Sequence, residues 1–133
     1  MVLSGTAATR DDAIREAGDL LVAAGAVEPS YVESMFERER SVSTFMGNQL
    51  AIPHGTNEAK AAVHRTAMSF VRYPDGIEWK PGKTANFVIA IAGTGNDHLA
   101  LLSNISKVFL DKTQIAALEA ATTEDEILAI LNG

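Results

Sequence analysis

Apolar positions recur at helical spacing towards both ends of the chain and form strand-like runs in its middle. Ile14, Ala17 and Leu21 mark one helical face, and Thr9 with Asp12 three residues on is a capping arrangement that satisfies an orphan helix amide. A first helix over 10–24, ended at Gly25, is predicted. Val32, Met35 and Phe36 predict a second, opened at Glu28-Pro29-Ser30, where the missing amide of proline costs nothing, and closed near Arg40.

Residues 49–52 read as a short strand, 56–63 as a short helix, and 65–73, with Met68, Phe70, Val71 and Tyr73, as another strand. Tyr73-Pro74-Asp75-Gly76 reads as a turn, because proline presets φ and glycine accepts positive φ. A short strand over 77–79 and a break at Pro81-Gly82 follow. Residues 87–92 are apolar at every position, as a central strand buried on both faces requires. The loop Gly93-Thr94-Gly95-Asn96-Asp97-His98 leads into a helix with Leu99, Leu102, Ile105 and Phe109 on one side. Two more helices are predicted, over 113–120 and from Thr123, the latter boxed by Glu126 with Ile127, Leu128 and Leu131 facing inward. Helices and strands interleave, so the expected fold is α/β, a mixed sheet between helical layers, in a single domain over residues 1–133.

Composition narrows the function. With 47% hydrophobic residues in 133, the chain can build one core unaided. No apolar run approaches the roughly 20 residues that span a bilayer, and the amino end lacks the order of a secretory signal. A cytoplasmic protein with no direct membrane insertion is expected. The absence of cysteine excludes disulfides, thiolate metal sites and a cysteine nucleophile within the chain. A formal charge of −6, with eleven Lys and Arg nowhere concentrated, argues against nucleic acid as a partner. An anion would need a local positive spot. Arg38 and Arg40 punctuate Glu37 and Glu39 near a helix end; a solvated helix end accounts for Arg40, while Arg38 is open to either role.

Gly93-x-Gly95-x-x-His98 imitates a dinucleotide fingerprint but puts histidine where the third glycine belongs, so no nucleotide cofactor is expected. No P-loop, paired-carboxylate arrangement or nucleophile elbow occurs. His54, His64 and His98 lack zinc-site spacing, and no metal is expected. His64 reads as a surface or strand-entry histidine, and His98 suits a cap or a phosphate-facing position. His54 is different in kind: Pro53 fixes the approach of the chain and Gly55 removes bulk beside the imidazole. A histidine that takes up a phosphoryl group needs a neutral ring nitrogen, a hydrogen bond holding the other nitrogen, and positive or amide groups around the phosphoryl oxygens. The candidates are the amides of Gly55 and Thr56 at the following helix start, the Arg38 guanidinium and the His98 imidazole.

The stretch Ser43-Thr44-Phe45-Met46-Gly47-Asn48-Gln49-Leu50-Ala51-Ile52-Pro53-His54-Gly55-Thr56-Asn57-Glu58-Ala59-Lys60, with Tyr73-Pro74-Asp75-Gly76 and Asp97-His98-Leu99-Ala100-Leu101-Leu102-Ser103-Asn104-Ile105, resembles the Enzyme IIA components of the bacterial phosphoenolpyruvate-dependent sugar phosphotransferase system. The likeness runs over nearly the whole chain and is to the mannitol type within the mannitol–fructose group, through Gly55-Thr56 and Glu58-Ala59-Lys60. It implies that His54 takes a phosphoryl group from the histidine of the phosphocarrier HPr and passes it to a cysteine of Enzyme IIB, which serves the membrane Enzyme IIC. It further implies that His98 and Arg38 are the family's second histidine and active-site arginine, and that a mixed, about five-stranded β-sheet is flanked by helices on both faces. The missing cysteine fits, since the thiol acceptor belongs to Enzyme IIB. Two rivals remain at this point: a nitrogen-type regulatory relative, in which the same chemistry switches partner binding, and a metal-dependent hydrolase using His54, His64 and His98.

Overall fold

The computed structural model describes residues 1–132, with side chains through Leu131. Helix α1 spans Arg10–Ala23; Thr9 Oγ1 accepts the Asp12 N–H at 3.2 Å at its start, and Gly25 follows it at φ +74°. Helix α2 spans Ser30–Ser41. Strands β1 (Phe45–Gly47) and β2 (Leu50–Ala51) form a hairpin whose two loop residues, Asn48 and Gln49, both have positive φ, 50° and 69°. A 3-10 helix, Asn57–Ala62, stands where a short helix is predicted. Strands β3 (Ala67–Lys80) and β4 (Lys83–Ala92) are followed by α3 (Asp97–Phe109), α4 (Lys112–Ala120) and α5 (Glu124–Asn132).

The sheet order is β1-β2-β4-β3, with β2 parallel to β4 and the other pairs antiparallel. It has four strands where the family resemblance implied about five; Val2 adds an isolated parallel bridge to Val71 of β3. Strand β4 is buried as its all-apolar run predicts. Because side chains alternate along a strand, Val88, Ala90 and Ala92 join Ile14, Ala17 and Leu21 of α1 and Met35 of α2, whereas Phe87, Ile89 and Ile91 join Ile105, Phe109, Leu118 and Ile127 of α3, α4 and α5.

Further expectations are corrected. Residues 73–76 do not turn: β3 runs straight through them, with a register shift between Arg72 and Ile77. An edge strand tolerates Pro74 because one side of it needs no ladder bond, and Gly76 at φ +77° accommodates the irregularity. The reversal lies at Pro81-Gly82, where Lys80 pairs with Lys83 and Gly82 has φ +77°, so the strands predicted over 65–73 and 77–79 are one. Strand β1 had no counterpart in the sequence reading. Leu128, expected to face inward, is 40% exposed, and Leu99, expected on one side with Leu102, Ile105 and Phe109, is 56% exposed. Helix α3 buries Ile105, Val108 and Phe109 in its second half, leaving its first turn off the core, and α5 buries Ile127 and Leu131 four apart, which rotates Leu128 about 100° away.

Candidate active site

Three chain segments meet at one cleft of about 420 Å³, lined by Arg38, His54 and His98 together with Tyr31, Thr56, Lys60, Glu37 and Glu58. Arg38 comes from the last turn of α2, His54 from the segment after β2, and His98 from the first turn of α3. The three residues singled out for chemistry are thus brought together. His64 is not with them: its Nε2 lies 3.0 Å from Glu28 Oε1 on an exposed surface, as a strand-entry histidine should, and it lines no part of the cleft.

His54 follows β2 as the chain continues beside β4. Pro53 O accepts the Ile91 N–H at 3.0 Å, and His54 makes an isolated parallel bridge to Ile91. The imidazole Nδ1 lies 2.8 Å from the Ile52 carbonyl. A carbonyl oxygen only accepts, so Nδ1 carries the ring proton and Nε2 keeps its lone pair. Burial pushes the His54 pKa below its ordinary value; the bond to Ile52 opposes this, the positive charges of Arg38 and His98 reinforce it, and Glu39 counters weakly. The outcome is a neutral imidazole beside two cationic or potentially cationic groups.

Gly55 has a different role from the one its position suggested. Its amide donates to the Tyr31 hydroxyl at 2.9 Å and is therefore already engaged, while a Cβ on it would lie 2.5 Å from both Ser34 Oγ and Tyr31 Cε1. Glycine is needed because α2 packs directly against the chain. Of the two amides considered for phosphoryl oxygens, that of Thr56 remains; Thr56 precedes the 3-10 helix and lines the cleft.

His98 is held by the glycine loop. A Cβ on Gly93 would lie 2.5 Å from His98 N, so the end of β4 touches the start of α3 backbone to backbone. Thr66 Oγ1 donates to Asp97 Oδ2 at 2.6 Å and accepts the Thr94 N–H at 3.1 Å, and Lys60 Nζ donates to the Gly95 carbonyl at 3.1 Å. Of the two glycines that imitate a nucleotide fingerprint, Gly93 serves this close packing and Gly95 takes a positive φ of 58° in the loop.

Arg38 donates from Nη1 to the Val42 carbonyl, just beyond α2. Its neighbour Glu39 is 7% exposed and accepts from Trp79 Nε1 at 2.7 Å, Thr44 N at 2.8 Å, Ser43 Oγ at 3.0 Å and Thr44 Oγ1. This buried carboxylate fastens the end of α2 to β3 and to the segment that leads into β1. Sequence reasoning noted Glu39 only as one of the charges near the end of a helix and gave Tyr31 no role. The signals available were a carboxylate in line with Val32, Met35 and Phe36 on the apolar stripe, and a lone tryptophan in need of an acceptor.

Residues 2–133 match the family model described as "Phosphoenolpyruvate-dependent sugar phosphotransferase system, EIIA 2". The chain is 43% identical over 130 residues to the mannitol-specific phosphotransferase enzyme IIA component of Bacillus subtilis (strain 168), covering 98% of this chain and 91% of the relative. In structure it is similar to the Escherichia coli enzyme IIAMTL complex with phosphorylated enzyme IIBMTL, at a TM-score of 0.93 and 38% identity, covering 99% of this chain and 93% of that one. The nitrogen regulatory protein IIA-Ntr of Neisseria meningitidis is also similar, at 0.81 and 27% identity, covering 98% and 91%.

Proposed function

Because this chain belongs to the EIIA 2 family of the phosphoenolpyruvate-dependent sugar phosphotransferase system, we propose that His54 is the atom-level relay of that system's phosphoryl group in this protein. The protein is a phosphotransferase component, with mannitol the favoured substrate of the pathway it serves: the relatives similar to it at 43% and 44% identity are mannitol-specific. The nitrogen-type regulatory reading has the lower identity of 27% in its favour.

The observation that carries the reading is the Nδ1–Ile52 bond, which leaves Nε2 as the nucleophile in a cleft shared with Arg38 and His98. In the first transfer the Nε2 lone pair attacks phosphorus and the bond from phosphorus to the donor histidine nitrogen of HPr breaks. As the His54 ring gains positive character, its Nδ1–H bond to the Ile52 carbonyl strengthens. Arg38, His98 and the Thr56 amide face the phosphoryl oxygens, whose charge they offset without reorganising. In the second transfer a thiolate of Enzyme IIB attacks phosphorus, the P–Nε2 bond breaks, and neutral His54 is regenerated with its Nδ1 proton still in place. The sugar itself is met downstream, at Enzyme IIC, and the relay works in the cytoplasm.

Incubation with phosphoenolpyruvate, Enzyme I and HPr, followed by mapping of acid-labile phosphate, tests this. One phosphate per chain on His54 Nε2, absent from His54→Ala, is expected. Arg38→Ala and His98→Ala are expected to fold and to slow transfer by roughly 100- to 1,000-fold, the range for losing one preorganised charge stabiliser. Undiminished phosphate uptake by His54→Ala refutes the assignment.

A further inference from the structure

One side chain of α2, Tyr31, which is 5% exposed, bonds both the segment that carries His54 and the end of β4 that leads to the His98 helix. Its hydroxyl accepts the Gly55 N–H at 2.9 Å and donates to the Ile91 carbonyl at 2.9 Å. The first bond fixes the residue after His54. The second fixes the end of β4, two residues before Gly93, which packs backbone to backbone on His98. Tyr31 also stands seven residues before Arg38 on α2, two turns away along the same face. Ser34 Oγ donates to the Tyr31 carbonyl at 2.6 Å and lies, with the tyrosine ring, where any side chain at position 55 would go.

From this juxtaposition we infer that Tyr31 is the positioning residue of the phosphoryl relay: its hydroxyl, bonded at once to Gly55 and Ile91, sets the imidazole of His54 in register with Arg38 and His98. The inference rests on the relay function proposed above. Tyr31 does not handle phosphate, because its hydroxyl is committed on both sides and nearly excluded from solvent. Its loss acts through the placement of His54. Pro53 and His54 are tied to β4 by the Ile91 amide and the bridge at Ile91, and among the described residues the tyrosine hydroxyl makes the one hydrogen bond from the segment 54–56 to α2, so without it that segment is held on α2 by packing alone. Displacements of about 1 Å between reacting groups lower rates by up to about a hundredfold.

Tyr31→Phe removes both hydrogen bonds and keeps the ring. Its expected signature is a roughly 10- to 100-fold lower rate of phosphoryl uptake from phosphorylated HPr, seen in kcat with KM for HPr unchanged. Nitrogen-15 spectra of the imidazole should show His54 losing its single Nδ1–H tautomer, and the Gly55 amide should lose protection from hydrogen exchange while Val88 and Ile89 keep theirs. An unchanged rate overturns the inference, as does a lower rate with the His54 tautomer and Gly55 protection intact. If the variant does not fold, the native protein decides: a Gly55 amide that exchanges more slowly than that of exposed Asn57 supports the clamp, and one that exchanges as fast overturns it. The spectroscopic arms need no phosphoryl transfer. A native protein that takes up no phosphate therefore defeats the proposed function alone, and the clamp is still judged by tautomer and exchange.

Discussion

Glu39→Ala should cost far more stability than a surface carboxylate change. The carboxylate collects hydrogen bonds from Trp79 Nε1, the Thr44 amide, Thr44 Oγ1 and Ser43 Oγ. Ser43 is half-buried and its hydroxyl can rotate to water, so its bond is replaceable. The Thr44 hydroxyl can also turn, although Thr44 is only 3% exposed. The Trp79 and Thr44 N–H groups cannot, and Trp79 is 1% exposed. Two stranded buried donors at about 1–3 kcal/mol each give roughly 2–6 kcal/mol. Water entering the space left by the carboxylate would hold the loss towards the middle of that range, about 4 kcal/mol, which is a large part of the usual 5–15 kcal/mol of a domain. Glu39→Gln keeps one acceptor oxygen and should lose about half as much. Because Trp79 is the only tryptophan, its fluorescence reports unfolding from the network itself. Urea titration followed by fluorescence and by far-ultraviolet circular dichroism should give coincident transitions with an unchanged slope and a midpoint shifted by the predicted free energy. A loss below 1 kcal/mol for Glu39→Ala would refute the reasoning, since it would mean that these donors are satisfied some other way.

The remaining predictions concern the nucleophile and the frame that holds it. His54 has a folded pKa below the ordinary value of about 6.5, so the unfolded chain binds its proton first as pH falls. The His54 contribution to stability is therefore complete above about pH 6.5 and is lost as pH drops through the folded pKa; His54→Gln should flatten that part of the stability profile, and phosphoryl uptake should persist below pH 6.5, where free imidazole is mostly protonated. Gly76→Ala and Gly82→Ala share a φ of +77°, but a Cβ at Gly76 collides with Thr84 Cγ2, whereas at Gly82 it meets nothing within 4 Å. Chemical denaturation should show Gly82→Ala costing about 1–2 kcal/mol and Gly76→Ala clearly more. Arg72 donates to the carbonyls of Leu3, Leu118 and Ala121, joining β3 to the amino-terminal segment and the end of α4, so Arg72→Ala should lose about 2–3 kcal/mol in the same assay and raise hydrogen exchange in both segments.

How far the sequence could be read depended on the range of the physics behind each feature. Helices α1 and α5 announce themselves through caps and apolar spacing, α2 through its apolar stripe, and β4 through six consecutive apolar residues, because capping and burial leave marks within a few positions. The Tyr73-Pro74-Asp75-Gly76 segment misled for the opposite reason. Its local chemistry is that of a turn, yet pairing with β4 on both sides, Arg72 with Phe87 and Ile77 with Ala85, outweighs the local preference and turns it into an irregularity within one strand. The cleft divides in the same way. His54 was legible from Pro53 and Gly55 beside it, and the glycine before the His98 helix from its spacing. The hydrogen bonds that make those residues useful join positions 31 to 55, 31 to 91 and 39 to 79, separations at which a sequence carries no periodicity. What such contacts do leave behind is a local oddity at one end: a glycine with no turn to make at 55, a carboxylate on the apolar stripe of α2 at 39. Each of these proved to mark a place where α2 reaches another element. The same helix carries Arg38, so the contacts that stabilise α2 and those that align the cleft are shared, and a substitution at Tyr31 or Glu39 should be assayed for both effects.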